Sequence, residues 1–263
     1  MTDLDPRWRS IALAAADAAA AVTRRWFRSL AAVEHKPEAS SPIVTIADRQ
    51  AEQAMRAILS DRLPDHGIFG EEEGATNADA RYTWVLDPID GTIAFASGKP
   101  LYTTLIALCE DQRPVLSVID QPILGERWVG SGGETTLNGS PTVIRPVARL
   151  SEARLGSTTP GPLMTAGVWE AFSRVQSAVH VTTWGGDAYN YALLSSGHLH
   201  LVVENELEWY DWAALVPVVE GAGGIITDWS GAPLGETAGR SQVLAAASPA
   251  LHAAALACLQ SAS

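Results

Sequence analysis

The apolar positions change period along the chain. From Arg7 to Ala32 alanine dominates and no glycine or proline interrupts, which predicts one long helix. Pro37 to Pro42 is a polar break, and Val44-Thr45-Ile46 is short and β-branched. Asp48 stands where a helix cap would, and Arg49 to Leu63 reads as the helix it starts, closed by Pro64. Gly67 to Thr83 reads as loop. From Trp84 the grammar becomes that of an antiparallel sheet. Trp84–Leu86, Leu101–Cys109, Pro114–Asp120 and Glu126–Val129 are short apolar runs between Gly, Pro, Asp and Asn. Thr135 to Arg145 holds Asn138-Gly139, a hairpin-turn signal.

The second half alternates. Arg154–Thr158 and Val179–Thr183 predict strands flanking a helix from Leu163 to Gln176. Asp187–Ser196 predicts a helix stopped by Gly197, and Leu199–Val203 a strand. Asp211–Ala222 predicts a helix ending in Gly223-Gly224, followed by a strand from Ile225 to Asp228 and a Ser230-Gly231 turn. Helices and strands mixed in both halves predict an α+β fold in which helices cover sheets. No repeat or linker divides the 263 residues. The expectation is one domain of two lobes, about 1–148 for metal and phosphate and about 149–263 for the substrate.

Composition narrows the class. With 47% hydrophobic and 18% charged residues the chain reads as an ordinary globular protein. A net charge of -12 argues against nucleic acid as a partner, because phosphate backbones attract basic surfaces. Cys109 and Cys258 form no motif and read as buried, reduced thiols, which fits the cytoplasm. The first residues lack the pattern of a signal peptide. The run from Ile11 to Val22 is too short and too polar to span a bilayer, so no membrane partner is expected.

The chemistry concentrates in Asp87-Pro88-Ile89-Asp90-Gly91-Thr92, where an apolar run ends in two aspartates and a Gly-Thr pair. Pro88 fixes φ between the acids, so both carboxylates and the Ile89 carbonyl can face one point. Hard divalent cations take such oxygen ligands, Mg²⁺ above all. A helix starting near Thr92 would aim backbone N–H groups at an anion, with Gly91 allowing close approach. A strand-ending turn with capping aspartates is the plainer reading. Gly70-Glu71-Glu72-Glu73-Gly74 is either a solvated acidic loop or a further source of metal ligands. Asp211 lies among Trp209, Tyr210 and Trp212, which favours a buried carboxylate over a simple cap. Glu204 ends an apolar strand and is either a substrate contact or exposed. The six histidines lack metal-ligand spacing, and no GxSxG elbow, GxGxxG or Walker loop appears.

Together, Gly70-Glu71-Glu72, Asp87-Pro88-Ile89-Asp90-Gly91-Thr92, Tyr210-Asp211-Trp212-Ala213-Ala214 and Glu220-Gly221-Ala222-Gly223-Gly224 resemble the inositol monophosphatase family, in family order over nearly the whole chain. Val44-Thr45-Ile46-Ala47-Asp48 resembles the family's first short motif. The resemblance implies a layered α/β/α/β/α fold, dependence on Mg²⁺ at two or three ions per site, lithium sensitivity and a homodimer. Carried over by position, Glu71, Asp87, the Ile89 carbonyl, Asp90 and Asp211 would hold metal. Gly91 and Thr92, beside Asp90 and Asp211, would bind the phosphorylated substrate. Asp48, Glu71 and Thr92 would serve catalysis, with Asp48 and Thr92 positioning the attacking water. Glu204 matches a position that contacts the rest of the substrate.

Trp184 to Leu194, Asp120-Gln121-Pro122 and Asp211 to Pro217 resemble the histidinol-phosphatase branch of that family. Histidinol phosphate carries an amine and an imidazole, and acidic groups such as Asp187 and Glu204 suit a cationic substrate. Asp187 is equally placed to cap its own helix. Inositol monophosphate, 3′-phosphoadenosine 5′-phosphate and a non-catalytic, partner-binding role are the alternatives. Ile93 departs from the polar or basic residue that many relatives carry there, and an isoleucine offers neither charge nor hydrogen bond to substrate or phosphate.

Overall fold

The computed structural model describes residues 4–29, 33–35, 43–159, 164–235 and 240–261. Helix α1 (Pro6–Trp26) starts at Asp5, whose carboxylate accepts from the Arg7 N–H at 2.9 Å. It ends at Trp26 rather than at Ala32, because Phe27 leaves helical ψ and Arg28 turns left-handed, φ 62°. Residues 30–32 lie outside the described residues, as does the polar break at 37–42. Strands β1 (Val33–His35) and β2 (Ile43–Thr45) form an antiparallel pair. Helix α2 (Ile46–Arg62) begins two residues before Asp48, so Asp48 sits buried inside the first turn and is not the cap.

The stretch expected to be loop contains β3 (Gly67–Gly70) and β4 (Gly74–Thr76), a tight antiparallel pair around the acidic turn. Strand β5 (Tyr82–Asp90) runs past Leu86 to Asp90, although Pro88 lacks an N–H. The chain tolerates it through a register irregularity between Asp87 and Asp90, opposite the next strand. A short helix α3 (Thr92–Ala96) follows, then β6 (Thr103–Glu110), β7 (Arg113–Gln121), β8 (Glu126–Ser131), β9 (Glu134–Leu137) and β10 (Ser140–Pro141). The β9–β10 turn is Asn138-Gly139, both at positive φ, as the dipeptide predicts. These strands form an eight-stranded sheet in the order β10-β9-β8-β7-β6-β5-β3-β4.

The rest builds a second sheet. It contains β11 (Arg154–Ser157), α4 (Ala166–Ala178), β12 (Val181–Trp184), α5 (Tyr189–Ser195), β13 (Leu201–Leu207), α6 (Trp209–Trp212), α7 (Leu215–Gly221), β14 (Ile225–Thr227), β15 (Ser241–Ala246) and α8 (Pro249–Gln260). Strand order is β12-β11-β13-β15-β14, with β11 parallel to both neighbours. The predicted helix from Leu163 starts at Ala166, and Leu163 itself lies outside the described residues. The strand predicted from Val179 starts at Val181. The predicted helix over Asp211–Ala222 is two helices. Pro217 offers no N–H to Ala213, and its ring crowds that carbonyl, so the helix restarts at Leu215. Cys258 is half-buried rather than buried, while Cys109 is buried as expected.

Alternation within strands makes the layers. On β5, Trp84 and Leu86 pack under α1 and α2, while Val85 faces the other way. That second face meets α5 and α7, whose far side receives Val202, Val243 and Ala245 of the second sheet. Leu201, Val203, Leu244 and Ala246 point out to α4 and α8. The order helices, sheet, helices, sheet, helices is the α/β/α/β/α arrangement. The central strands are covered on both faces, which is why they read as continuous apolar runs. No helix among the described residues is long and apolar enough to cross a membrane.

Candidate metal and phosphate site

The site forms where β5 loses its regular pairing. Asp87 and Asp90 bracket the irregular segment, and the Ile89 N–H donates to Asp87 Oδ1 at 3.0 Å. Thr104 donates to the Pro88 carbonyl at 2.8 Å, so the bend is held from β6. Strand β3 runs parallel to β5, with Gly70 opposite Leu86, and this delivers Glu71 beside Asp87. The Glu71 N–H donates to the Leu86 carbonyl at 3.2 Å. From the second sheet comes Asp211, in the first turn of α6, where its Oδ2 accepts from the Glu208 N–H at 2.7 Å. Glu208 is the cap and Asp211 completes a reciprocal capping box.

One carboxylate oxygen from each of Asp87, Asp90 and Asp211 lies within 4.8 Å of the others. Burial and mutual repulsion push these acids up. Glu71 rises to about 8, chiefly from burial, then from Asp211 and Asp48, with Asp87 hydrogen-bonded to it. Asp211, half-buried rather than buried, rises to about 7, chiefly because its carboxylate is cut off from solvent. Asp87 and Asp90 lie well above the usual carboxylate range for the same reasons. Such a cluster is costly unless cations sit in it. An all-oxygen donor set of this density fits hard divalent ions.

Beside it is the anion cradle. Gly91 has φ 88° and caps α3, and the buried Thr92 hydroxyl donates to the Ile89 carbonyl at 3.2 Å. The cradle and the acids line one cavity of about 310 Å³, together with Glu71, Asp187, Glu204 and the exposed Ile93. Asp48 is not among the lining residues. It lies behind the cluster, near enough that its charge raises Glu71 and Asp87.

Two acids face the cavity from the second sheet. Glu204 is 5% exposed, so it is not a solvated strand end, and it accepts from the Thr158 N–H and hydroxyl at 2.8 and 2.9 Å. Burial pushes it up to about 8 despite those bonds. Asp187 does not cap α5. The helix starts at Tyr189 without a side-chain cap, and Asp187 is left-handed at φ 45°. Its carboxylate lies against Gly91, close enough that a Cβ there would meet Oδ2 at 3.0 Å. The Ala188 N–H donates to Asp90 Oδ2 at 2.6 Å, which ties the two sheets together at the site.

Residues 5–263 match the profile of the Inositol monophosphatase family. The chain belongs to that family. It is therefore a phosphatase, and the family is metal-dependent. The bifunctional phosphatase IMPL2 of Arabidopsis thaliana, a chloroplastic protein, is 48% identical over 88% of this chain and 66% of its own length. The histidinol-phosphatase of Mycobacterium tuberculosis is 34% identical over 84% of this chain and 87% of its own. The solved structure of an inositol monophosphatase from Zymomonas mobilis superposes with a TM-score of 0.86 at 45% identity, over 98% of this chain and 100% of that one.

Four residues of the site escaped the sequence reading. Thr158 ends a predicted strand, and carboxyl ends of parallel strands are where ligand crevices form. Glu52 and Arg56 repeat Asp48 at helical spacing on α2, a signal that the same face is engaged. Arg240 carries no local signal. It is the one basic side chain among the described residues lining the cavity, and it pairs with Glu206 and Glu208 at 3.0 Å each.

Proposed function

We propose that this chain hydrolyses L-histidinol phosphate to L-histidinol and phosphate, with Mg²⁺ as the metal. The observation that carries the substrate is the second acidic pair. Asp187 and Glu204 are not members of the Asp87, Asp90 and Asp211 group, but they line the same cavity and add their charge to it. Among the described residues neither has a basic partner, since Arg240 pairs with Glu206 and Glu208. A cationic substrate supplies what these acids lack, and a polyol does not. Relatives named histidinol-phosphatases support the reading.

Glu71, Asp87, Asp90, Asp211 and the Ile89 carbonyl would hold the metal. When bound, divalent cations supply Lewis acidity, an activated water and neutralisation of charge on the leaving oxygen. The chain itself does the positioning. Gly91 and Thr92 present N–H groups to the phosphate at the start of α3. The Thr92 hydroxyl orients the water for in-line attack, and Asp48, behind the cluster, acts through its charge on Glu71 and Asp87. Asp187 and Glu204 hold the cationic end, fixing the ester oxygen over the carboxylate cluster. Lithium inhibition and a homodimer belong to the same reading, and light scattering of the purified protein checks the dimer.

Inositol 1-phosphate is the second reading, favoured by the 45% identity to an inositol monophosphatase. Phosphate release from the two substrates at equal concentration, with Mg²⁺ and with EDTA, separates them. The proposal requires EDTA-sensitive preference for histidinol phosphate. Equal or inositol-favoured turnover would discard the substrate assignment and leave the phosphatase.

A further inference from the structure

Thr158 follows the carboxyl end of β11, which lies between β12 and β13 and parallel to both. Its hydroxyl donates to Glu204 Oε1 at 2.9 Å and accepts from the Asp187 N–H at 2.9 Å. Its own N–H reaches the same Oε1 at 2.8 Å. A hydroxyl has one proton to give and two lone pairs. Here it joins an acid at the end of β13 to the backbone of an acid at the entrance to α5. The second bond bears on a rare conformation, since Asp187 is not glycine yet sits at φ 45°. That turn sets the Asp187 carboxylate against Gly91, over the cradle. The first bond occupies Oε1 of Glu204, and no hydrogen bond among the described residues reaches Oε2. One threonine thus orients both acids.

We propose that Thr158 is the specificity-positioning residue of this enzyme, aligning Asp187 and Glu204 as one seat for the ammonium or imidazolium end of a phosphorylated substrate. The inference rests on the proposed substrate class and adds what sets the seat's geometry. Thr158 lines the same cavity with its hydroxyl bonded to Glu204 and to the Asp187 N–H, so it acts through those acids. Its loss moves recognition of the cation and leaves the metal cluster as it was.

The test compares wild type with Thr158→Val and Thr158→Ser on L-histidinol phosphate, which is cationic, and inositol 1-phosphate, which is not. Valine keeps the shape and the backbone bond to Glu204 and removes only the hydroxyl. The expected result is a rise in KM for histidinol phosphate of about tenfold or more, from loss of charge-assisted bonds, with kcat little changed. The KM for inositol 1-phosphate and the Mg²⁺ concentration for half-activity stay within about twofold. Serine restores the wild-type KM. A purely structural role would lower both substrates together and would move the melting temperature instead. Equal losses on both substrates, an unchanged histidinol phosphate KM in the valine variant, or failure of serine to rescue would each overturn the inference. A wild type without preference for the cationic substrate overturns the substrate reading and this inference with it. A wild-type preference that survives in Thr158→Val overturns this inference alone.

Discussion

Glu52→Gln probes how the protein holds Glu71. Glu52 is fully buried on α2, one turn after Asp48. Its Oε2 accepts from the Glu72 N–H at 2.8 Å, and its Oε1 from the Glu73 N–H at 3.0 Å and Arg56 Nε at 2.8 Å. The turn that carries Glu71 is therefore pinned by a carboxylate from a neighbouring helix, and Gly70 makes room for it. A Cβ at Gly70 would collide with Glu52 Oε1. Glutamine keeps one acceptor oxygen and puts an NH₂ where the other was. One backbone N–H of the turn then faces a donor, and Arg56 keeps only the more distant Glu73, at 3.6 Å, as a charged partner. A lost bond to a charged group costs roughly 1.5–3 kcal/mol, so the total is about 2–4 kcal/mol. For a chain of this size that lowers the melting temperature by roughly 10 °C. Because the turn aims Glu71 at the cluster, metal affinity falls too, by about ten- to a hundredfold. Melting curves of wild type and variant across a Mg²⁺ titration read both numbers at once. A folded variant that binds Mg²⁺ as tightly as wild type would refute the link between Glu52 and the site, whatever its melting temperature.

Stability should also follow pH in a direction set by the raised carboxylates of the cavity. Glu71 and Glu204 at about 8 and Asp211 at about 7 are raised in the folded state, so the folded protein holds protons that the unfolded chain releases near its ordinary carboxylate values. Their contribution is complete below about pH 4.5 and is lost as pH rises through 7 and 8. With EDTA the melting temperature should fall over that window, and Mg²⁺ should restore more of it at high pH than at low. A Mg²⁺ increment independent of pH would contradict the buried-cluster account. Gly91→Ala should cost about 1–3 kcal/mol through strain at φ 88° and contact with Asp187. It should also abolish most turnover, and a variant with wild-type activity and melting temperature would show that the cradle tolerates a side chain.

The legible parts of the fold were those set by local patterning. The β6–β8 runs, the Asn138-Gly139 hairpin and the Gly197 stop follow from apolar runs and turn residues, and the structure places them there. The errors have physical causes. β3 and β4 are short and rich in glycine, and their pairing with each other and of β3 with β5 makes them strands. Residues 241–260 carry no expected element, yet β15 lies between β13 and β14 in the second sheet, and α8 covers that sheet through Leu251, Ala255 and Leu259. For the site, the Asp87–Thr92 cluster is contiguous and so visible in sequence. Thr158 and Arg240 join through contacts 46 and 32 to 34 residues away, which no local pattern records.

The account stands on one comparison, phosphate release from L-histidinol phosphate by wild type and Asp90→Asn, each with Mg²⁺ and with EDTA, beside inositol 1-phosphate. Asparagine can keep the bond from Ala188 while removing one charge from the cluster. The account predicts strong, EDTA-sensitive release by wild type with preference for histidinol phosphate, and a loss of about a thousandfold or more in the folded variant. Near-normal turnover by Asp90→Asn, or release that ignores EDTA, would contradict it.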